Sequence, residues 1–302
     1  MDFDQLITFL EVVKLGNFSR AGQKVLRSQS AVSAQIRQIE EEYGERLLDR
    51  SGKVVRLTPA GEVFFEYVQR MLTLYHESKR AVADQGNQPR GVLAIGANEA
   101  TCLYVLPDVF AHYSQLYPDV QISIYRNFSR KILERVNDGS IDVGVVTLPV
   151  KSPGLKVRAI HRDKLMLMVS SKSPLAKLKS VSVAVAAEQP QLYPKTGYTR
   201  QLLDKLFRPY QSQLRIRMEL PSVGMIKSFV AAGLGVSLIS SRYAADEVRA
   251  GTAKLVELEG EDLWRELGVV YQSNRTLPQS AKAFVDLILH EATLSGNKPV
   301  QR

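Results

Sequence analysis

Phe3, Leu6, Ile7, Leu10 and Val13 recur at steps of three and four, the period of an amphipathic helix, which Gly16 ends. Phe18, Ala21, Gly22 and Val25 predict a short second helix. After a break over residues 26–28, Val32, Ile36, Ile39 and Tyr43 predict a third, with Ser28 as its N-cap. The stretch RLLDRSGKVVRLT then reads as two short strands about a Ser51-Gly52 turn. Thr58 and Pro59 open a longer helix, reaching about Gln85 before Gly86 and Pro89. Its seam is Phe64, Tyr67, Met71, Leu74 and Ser78, thickened by Val68, Leu72 and Tyr75. From Gly91 the pattern changes to strand and helix in alternation. VLAIG, QISIY, DVGVVT, LMLMVSS, LRIRMEL and GVSLIS predict strands, and helical stretches follow Thr101, Ser129, Thr199, Ser222 and Arg242. An α/β region with a mostly parallel sheet is expected.

A helix of roughly 40 Å with one apolar seam and no helical neighbour nearby in sequence most simply buries that seam against a second copy of itself. Packing on its own C-terminal region is the alternative. The chain has 302 residues, 45% of them hydrophobic, which suffices for two or three domains with cores. Its composition excludes some classes. No apolar run is long enough for a membrane span, and MDFDQLITFL places aspartates where a secretory signal carries lysines, so a cytoplasmic protein without membrane partners is expected. The one cysteine, Cys102, allows no internal disulfide, and His76, His112, His161 and His290 are scattered without zinc spacing, so no metal and no cofactor are expected.

The net charge of +9 suggests a polyanionic partner, but its distribution matters more. Residues 1–90 carry thirteen Lys and Arg against twelve Asp and Glu, so the excess lies elsewhere. Within them, however, residues 12–39 hold Lys14, Arg20, Lys24, Arg27 and Arg37 and no acid, and Glu40, Glu41, Glu42 and Glu45 follow at once. The third helix turns Ser30, Ser33, Ala34 and Arg37 away from its apolar stripe, with Gln29 at its start. Small side chains let a helix sit deep in the major groove, where Gln pairs with adenine, Arg with guanine or phosphate, and Ser with several base edges. A solvated face of an ordinary three-helix bundle would carry similar residues. The basic hairpin that follows, with Arg46, Arg50, Lys53 and Arg56, adds a wing suited to the backbone or minor groove.

The run from Phe3 to Gly61 resembles the winged helix-turn-helix of LysR-type transcriptional regulators. The resemblance rests on Phe9, Phe18, Ala21, Gln29, Ser30, Ala31, Val32, Ser33, Gln35, Ile36, Glu40, Gly44, Leu47, Leu48, Arg50 and the run Leu57, Thr58, Pro59, Ala60, Gly61. Ala34 departs from the family's frequent arginine, and Ser30 from its frequent proline, so the target bases do not carry over. The resemblance implies an all-α winged domain over residues 1–58, a dimerisation helix over residues 59–88, and an effector-binding domain over residues 91–302. The last would be a periplasmic-binding-protein-like α/β fold of two subdomains, about 91–162 with 265–302, and about 163–264. Gln29, Ser30, Ser33, Ala34, Arg37, Arg50 and Lys53 are the expected DNA contacts, and Phe64, Met71 and Leu74 the dimer contacts. Operator DNA, a second copy or a tetramer, and RNA polymerase are the implied partners.

In open α/β sheets ligands bind beyond strand C-termini, near helix starts. Those positions hold Asn98, Ala100 and Thr101 after the first strand, Ser129 at the second helix, Thr147 after DVGVV, and Thr196 and Thr199 before another helix. Neutral donors at helix starts suit a small carboxylate or other anion. Glu99 complicates that reading, and Ser129 and Thr199 read equally well as caps. The family's pockets use polar residues at positions matching Asn98, Ala100, Thr147 and residues 196–199, Ala100 being a departure from its usual hydroxyl. An enzyme is not expected: GLGVS is not a full dinucleotide fingerprint, and no G-x-S-x-G or Walker sequence occurs. Cys102 reads as a buried small residue, with no resolving cysteine for redox sensing. An effector-modulated DNA-binding regulator is therefore expected, with an effector-independent architectural binder and a metabolic enzyme bearing a helical accessory domain as its rivals.

Overall fold

The computed structural model describes residues 1–52, 54–83 and 88–294. They fall into two compact units, Met1–Gly86 and Asn87–Arg302. The first contains α1 (Phe3–Leu15), α2 (Phe18–Lys24), α3 (Gln29–Tyr43), a hairpin of β1 (Leu48–Asp49) and β2 (Arg56–Leu57), and α4 (Pro59–Ala83). Local chemistry sets the helix ends. Asp2 and Gln5 form a capping box on α1, Asn17 accepts from the Arg20 amide, and Ser28 accepts from the Ala31 amide. Gly16 and Gly44 close α1 and α3 in the left-handed region, at φ 60° and 68°. Leu6, Phe9, Val12, Ala21, Val32, Ile36, Ile39, Leu47 and Leu48 make the core. The buried face of α1 differs from the expected one: Phe9 and Val12 join Leu6, while Phe3 and Ile7 are 41% and 39% exposed and Leu10 and Val13 half-buried.

Helix α4 departs from the expected single seam. Phe64, Val68 and Leu72 are buried in the core of their own winged unit, Phe64 lying edge-on to Phe9 and Tyr43 with ring centroids 4.9 and 4.8 Å away. Tyr75 stacks on Phe3 at 4.0 Å. Phe64 is thus not a free dimer contact; four-residue steps at 3.6 residues per turn carry it onto the α1 side. The outward stripe is Val63, Tyr67 and Leu74, all more than half exposed, with Met71 between the two faces. Gly61 permits the close start of this helix on the wing, because a Cβ there would fall 1.9 Å from the Leu47 carbonyl oxygen.

The second unit runs β3 (Gly91–Ala97), α5 (Glu99–Tyr104), α6 (Leu106–Leu116), β4 (Val120–Arg126), α7 (Ser129–Asn137), β5 (Val143–Leu148) and β6 (Leu155–Ser170). It continues through β7 (Ser180–Val181), α8 (Val183–Glu188), β8 (Pro190–Pro194), α9 (Tyr198–Leu206), β9 (Arg215–Leu220), α10 (Val223–Ala231) and β10 (Ser237–Ser240). α11 (Ala245–Arg249), β11 (Ala253–Leu258), β12 (Trp264–Gln272) and α12 (Gln279–Leu294) complete it. The main sheet has the order β4-β3-β5-β12-β6-β11-β7, with β10 also paired to β6. It is mixed rather than mostly parallel. β3 is parallel to β4 and β5, but β12 is antiparallel to β5 and β6, and β10 and β11 are antiparallel to β6. The antiparallel pairs arise because β6 and β12 carry the chain between two lobes and back. Up to Lys164, β6 pairs with β12; from Leu165 it pairs with β10 and β11.

One apolar core crosses this division, joining Leu93, Ile95, Val143 and Leu267 of the first lobe to Leu192, Leu220, Ile226 and Ile239 of the second. At the crossover lies a buried ion pair. Arg265 of β12 meets Asp163 of β6 through two nitrogens, at 2.6 and 3.2 Å, and donates a third hydrogen bond to the Tyr243 hydroxyl. The Nε2 atom of His161 stands 3.3 Å from the same carboxylate. Burial opposes the ionised form of Asp163, but hydrogen bonds from His161, Arg265 and Ser240 and the charge of Arg265 outweigh it, holding the carboxyl below its usual value of 3.8.

Replacing one member of such a pair strands a buried charge. Asp163→Asn is therefore expected to destabilise the second unit by about 3–5 kcal/mol at neutral pH, and a double replacement of Asp163 and Arg265 by apolar residues to recover most of that. Because the folded pKa is depressed, the contribution is full above 3.8 and is lost as the pH falls through the lower folded value. Urea unfolding followed by the chain's one tryptophan, Trp264, checks both statements; equal stability of wild type and variant at neutral pH would contradict them.

Candidate functional site

Gln29 and Ser30 occupy the first turn of α3, and both are exposed, as are Ala34 and Arg37 further along; Ser33 is half-buried between them. Arg37 has no ion pair among the described residues. The face is therefore small, polar and singly basic, as the spacing predicts. The turn leading to it is tight: a Cβ on Gly22 would lie 2.6 Å from the Arg27 carbonyl oxygen, and Leu26 adopts φ 57° with its side chain 93% exposed.

Arg50 is placed differently from the expected free DNA contact. Its Nη2 lies 2.7 Å from Glu40 Oε2, and its guanidinium sits 5.0 Å over the Phe18 ring. Glu40 Oε1 accepts from the Leu47 and Leu48 amides at 3.0 and 3.2 Å. One carboxylate of α3 thus satisfies two wing amides and a wing arginine, fixing the hairpin beside the helix. Arg50 is first a strut. Lys53, the other expected wing contact, lies outside the described residues.

In the second unit the expected effector residues separate by role. Asn98 caps α5, its side-chain oxygen accepting from the Thr101 amide at 2.9 Å, which leaves its NH2 as a donor. Ala100 and Thr101 are buried, Thr101 completely, with its hydroxyl beside that of Tyr243. Both therefore stand behind the surface rather than on it, because α5 lies flat on the core. Ser129 is the first residue of α7 and not its cap, a position held by Phe128 without a side-chain bond. Thr147 is half-buried near the end of β5, paired with Leu267. Thr196 is exposed beside Gly197, whose φ of 98° starts α9, and Thr199 is the second residue of that helix.

The parallel ladders bring part of this set together. Ala97 is level with Arg126 of β4 and Val145 of β5, so Asn98, Ser129 and Thr147 follow the same C-terminal edge of three adjacent strands. On the other lobe, Pro194 is level with Leu220, which places residues 195–199 and Ser222 at one edge of β8 and β9. The two edges touch where Ser222 Oγ donates to Glu99 Oε1 at 2.9 Å; Arg126 Nη1 is 3.5 Å from Glu99 Oε2. Behind them, Tyr104 packs against Tyr243 at 5.0 Å and under Lys227 Nζ at 4.2 Å, and Lys227 pairs with Glu247 at 2.9 Å.

Sequence spacing missed this junction. Glu99 and Ser222 are 123 residues apart, and Asp163 and Arg265 are 102 apart, so only the two-lobed topology pairs them. Among the described residues there is no His, Cys, Asp and Glu cluster that could hold a metal, and no helix is long and apolar enough to cross a membrane.

Comparison with known proteins agrees with both units. Residues 3–62 match the family model for a bacterial regulatory helix-turn-helix protein of the lysR family, and residues 86–293 that for the LysR substrate binding domain. A probable RuBisCO transcriptional regulator of Cyanidioschyzon merolae is 31% identical over 300 residues, covering 95% of this chain and 97% of the relative. A protein of the same description from Nostoc sp. is 29% identical, covering 98% and 90%. Among solved structures, full-length OxyR of Pseudomonas aeruginosa superposes with a TM-score of 0.72 at 19% identity, covering 100% of this chain and 99% of that one. Full-length CbnR in complex with its target DNA gives 0.69 at 21% identity, covering 97% and 100%. With a helix-turn-helix unit, a two-lobed α/β unit and matches over nearly its whole length, this chain belongs to the LysR family of DNA-binding transcriptional regulators with an effector-binding domain.

Proposed function

We propose that the protein reads operator DNA with the outward face of α3, pairs through the outward stripe of α4, and responds to a small carboxylate or inorganic anion held between the two lobes. The observation that carries this reading is the meeting of two strand-end edges, each lined with neutral donors, at Glu99 and Ser222. Helix starts and hydroxyls stabilise an anion without a buried positive partner. Asn98, Ser129 and Thr147 supply one edge, Thr196 and Thr199 the other, and Ala100 and Thr101 form the wall behind. A ligand that binds one arrangement of the regulator more tightly shifts the population toward it, altering promoter binding or contact with RNA polymerase.

On the DNA side, Ser33 lies between exposed Ser30 and Ala34 on α3, so a carboxylate there would be brought against phosphates or base edges. Ser33→Asp is expected to abolish specific binding in a gel-shift assay on a mapped operator while the circular dichroism stays native. Unaltered operator binding would refute the docking of α3.

For pairing, Leu74 is the cleaner target than Phe64 or Met71, being 66% exposed and absent from the winged core. Leu74→Glu places like charges across a two-fold interface and is expected to dissociate the protomers without unfolding them. An oligomer unchanged in sedimentation would move the interface elsewhere.

For the effector, Thr147→Val keeps the side-chain shape and removes the hydroxyl. Loss of that hydrogen bond is expected to cost about 1–3 kcal/mol, roughly ten- to a hundredfold in affinity, with little effect on ligand-free DNA binding. Calorimetric titration of the best hit from a metabolite thermal-shift screen into both proteins decides it. Equal affinities, or a neutral sugar as the hit, would overturn the anion reading.

A further inference from the structure

Helix α5 follows β3 of the first lobe, yet the second lobe holds it at both ends. At its start, Glu99 Oε1 accepts a hydrogen bond from Ser222 Oγ at 2.9 Å. At its end, the Tyr104 carbonyl accepts from Arg242 Nε at 2.8 Å, and the Tyr104 ring lies against Tyr243 and Lys227. The two attachments are unequal. Lys227 and Tyr243 are both 4% exposed, so the Tyr104 end is packed into the core. Glu99 is 34% exposed beside the buried Ala100 and Thr101, and its ionic partner Arg126, 67% exposed at 3.5 Å, belongs to the first lobe, so at this end the side-chain tie to the second lobe is the one hydrogen bond to Ser222.

Ser222 occupies the N-cap position of α10, but makes no side-chain cap bond to that helix, and the first turn of α10 holds no acid. Its hydroxyl donates to Glu99 instead. The Glu99 carboxylate thus lies one hydrogen bond from the N-cap residue of this nine-residue helix, where a negative charge is favoured.

We propose that Glu99 is an internal clasp: in the ligand-free protein its carboxylate stands at the start of α10 and ties the start of α5 to the second lobe, and an effector anion must displace it. This rests on the anion reading above and adds how the site is regulated. An internal competitor lowers apparent affinity by the fraction of time the clasp is closed. A single hydrogen bond to a part-exposed charge corresponds to about a three- to tenfold effect. When the clasp opens, Ala100, Thr101 and Tyr104 stay packed, but the start of α5 loses its side-chain tie to α10, so an anion's arrival becomes a loosening of the contact between the two lobes at this point.

Ser222→Ala, Glu99→Ala and the double variant of the full chain test this with two measurements. In amide hydrogen exchange without ligand, α5 and the first turn of α10 are expected to exchange about three- to tenfold faster in each single variant, and no faster in the double. Titration with sulfate as the probe is expected to show each single variant binding about three- to tenfold more tightly than wild type, again without additivity. Exchange unchanged in both single variants overturns the clasp. Tighter sulfate binding in Glu99→Ala alone, with Ser222→Ala equal to wild type or weaker, also overturns it, leaving simple charge repulsion by Glu99. Sulfate that binds none of the four proteins removes the anion reading and with it the competition, an outcome distinct from binding that the variants leave untouched.

Discussion

Strand β6 pairs with β12 up to Lys164 and with β10 and β11 beyond it, so one continuous backbone belongs to both lobes of the second unit. The rest of that unit follows from this constraint. A strand shared between two sheets cannot kink freely without breaking ladders on one side, and its return partner β12 is bound to it at the same point by Asp163 and Arg265. Two charges removed from water contribute little net stability against apolar residues of the same volume. What they add is registry: the bidentate geometry fits only when β6 and β12 are aligned at the crossover. The continuous apolar core through Leu267, Ile226 and Ile239 acts in the same direction, and it takes in Ala100 of α5 with Cys102 and Tyr104 packed against it.

The winged unit solves a comparable problem with one carboxylate. A two-residue strand cannot hold a hairpin by ladder bonds alone, and β1 and β2 are each two residues long. Glu40 supplies the missing bonds from the neighbouring helix, accepting two wing amides and the Arg50 guanidinium. The wing and α3 are thereby presented as one surface, and Arg50, an expected DNA contact, also helps hold that surface in shape.

The elements with a strong period were legible in the sequence: α1, α3, α4, β3, β4 and β5 stand where apolar spacing put them, with Asp2 and Asn17 caps that were not anticipated and Ser28 and Thr58 caps that were. What escaped was of two kinds. Strands β8, β11 and β12 and the first half of β6 were not picked out: PQLYP leaves three residues between two prolines, the alternation of LKVRA is short before the charged run HRDK, and WRELGVV is broken by Gly268. Helix faces were also merged: four-residue steps in α4 drift around the axis, so Phe64 and Leu74 read as one seam although one is buried in the unit's own core and the other is exposed. In the second unit the strand-end rule picked out positions on two strand-end edges, but it did not tell Thr101, which α5 turns inward, from Thr147 at the edge.

The same drift gives α4 two jobs that one seam could not perform. A helix whose only apolar face were the outward stripe would have no fixed orientation on its winged unit, and any pairing through it would leave the recognition helix at an undefined angle. Phe64, Val68 and Leu72 lock α4 to α1, and Tyr75 on Phe3 extends that lock by about one further turn. The stripe of Val63, Tyr67 and Leu74 is then open to another surface. With one face fixed and the other free, the direction in which α3 points becomes a consequence of what the free face meets. If the protein pairs through that face as proposed, its half-sites would lie at a set spacing along the duplex, and this rigid transfer of geometry is what would make pairing informative about DNA.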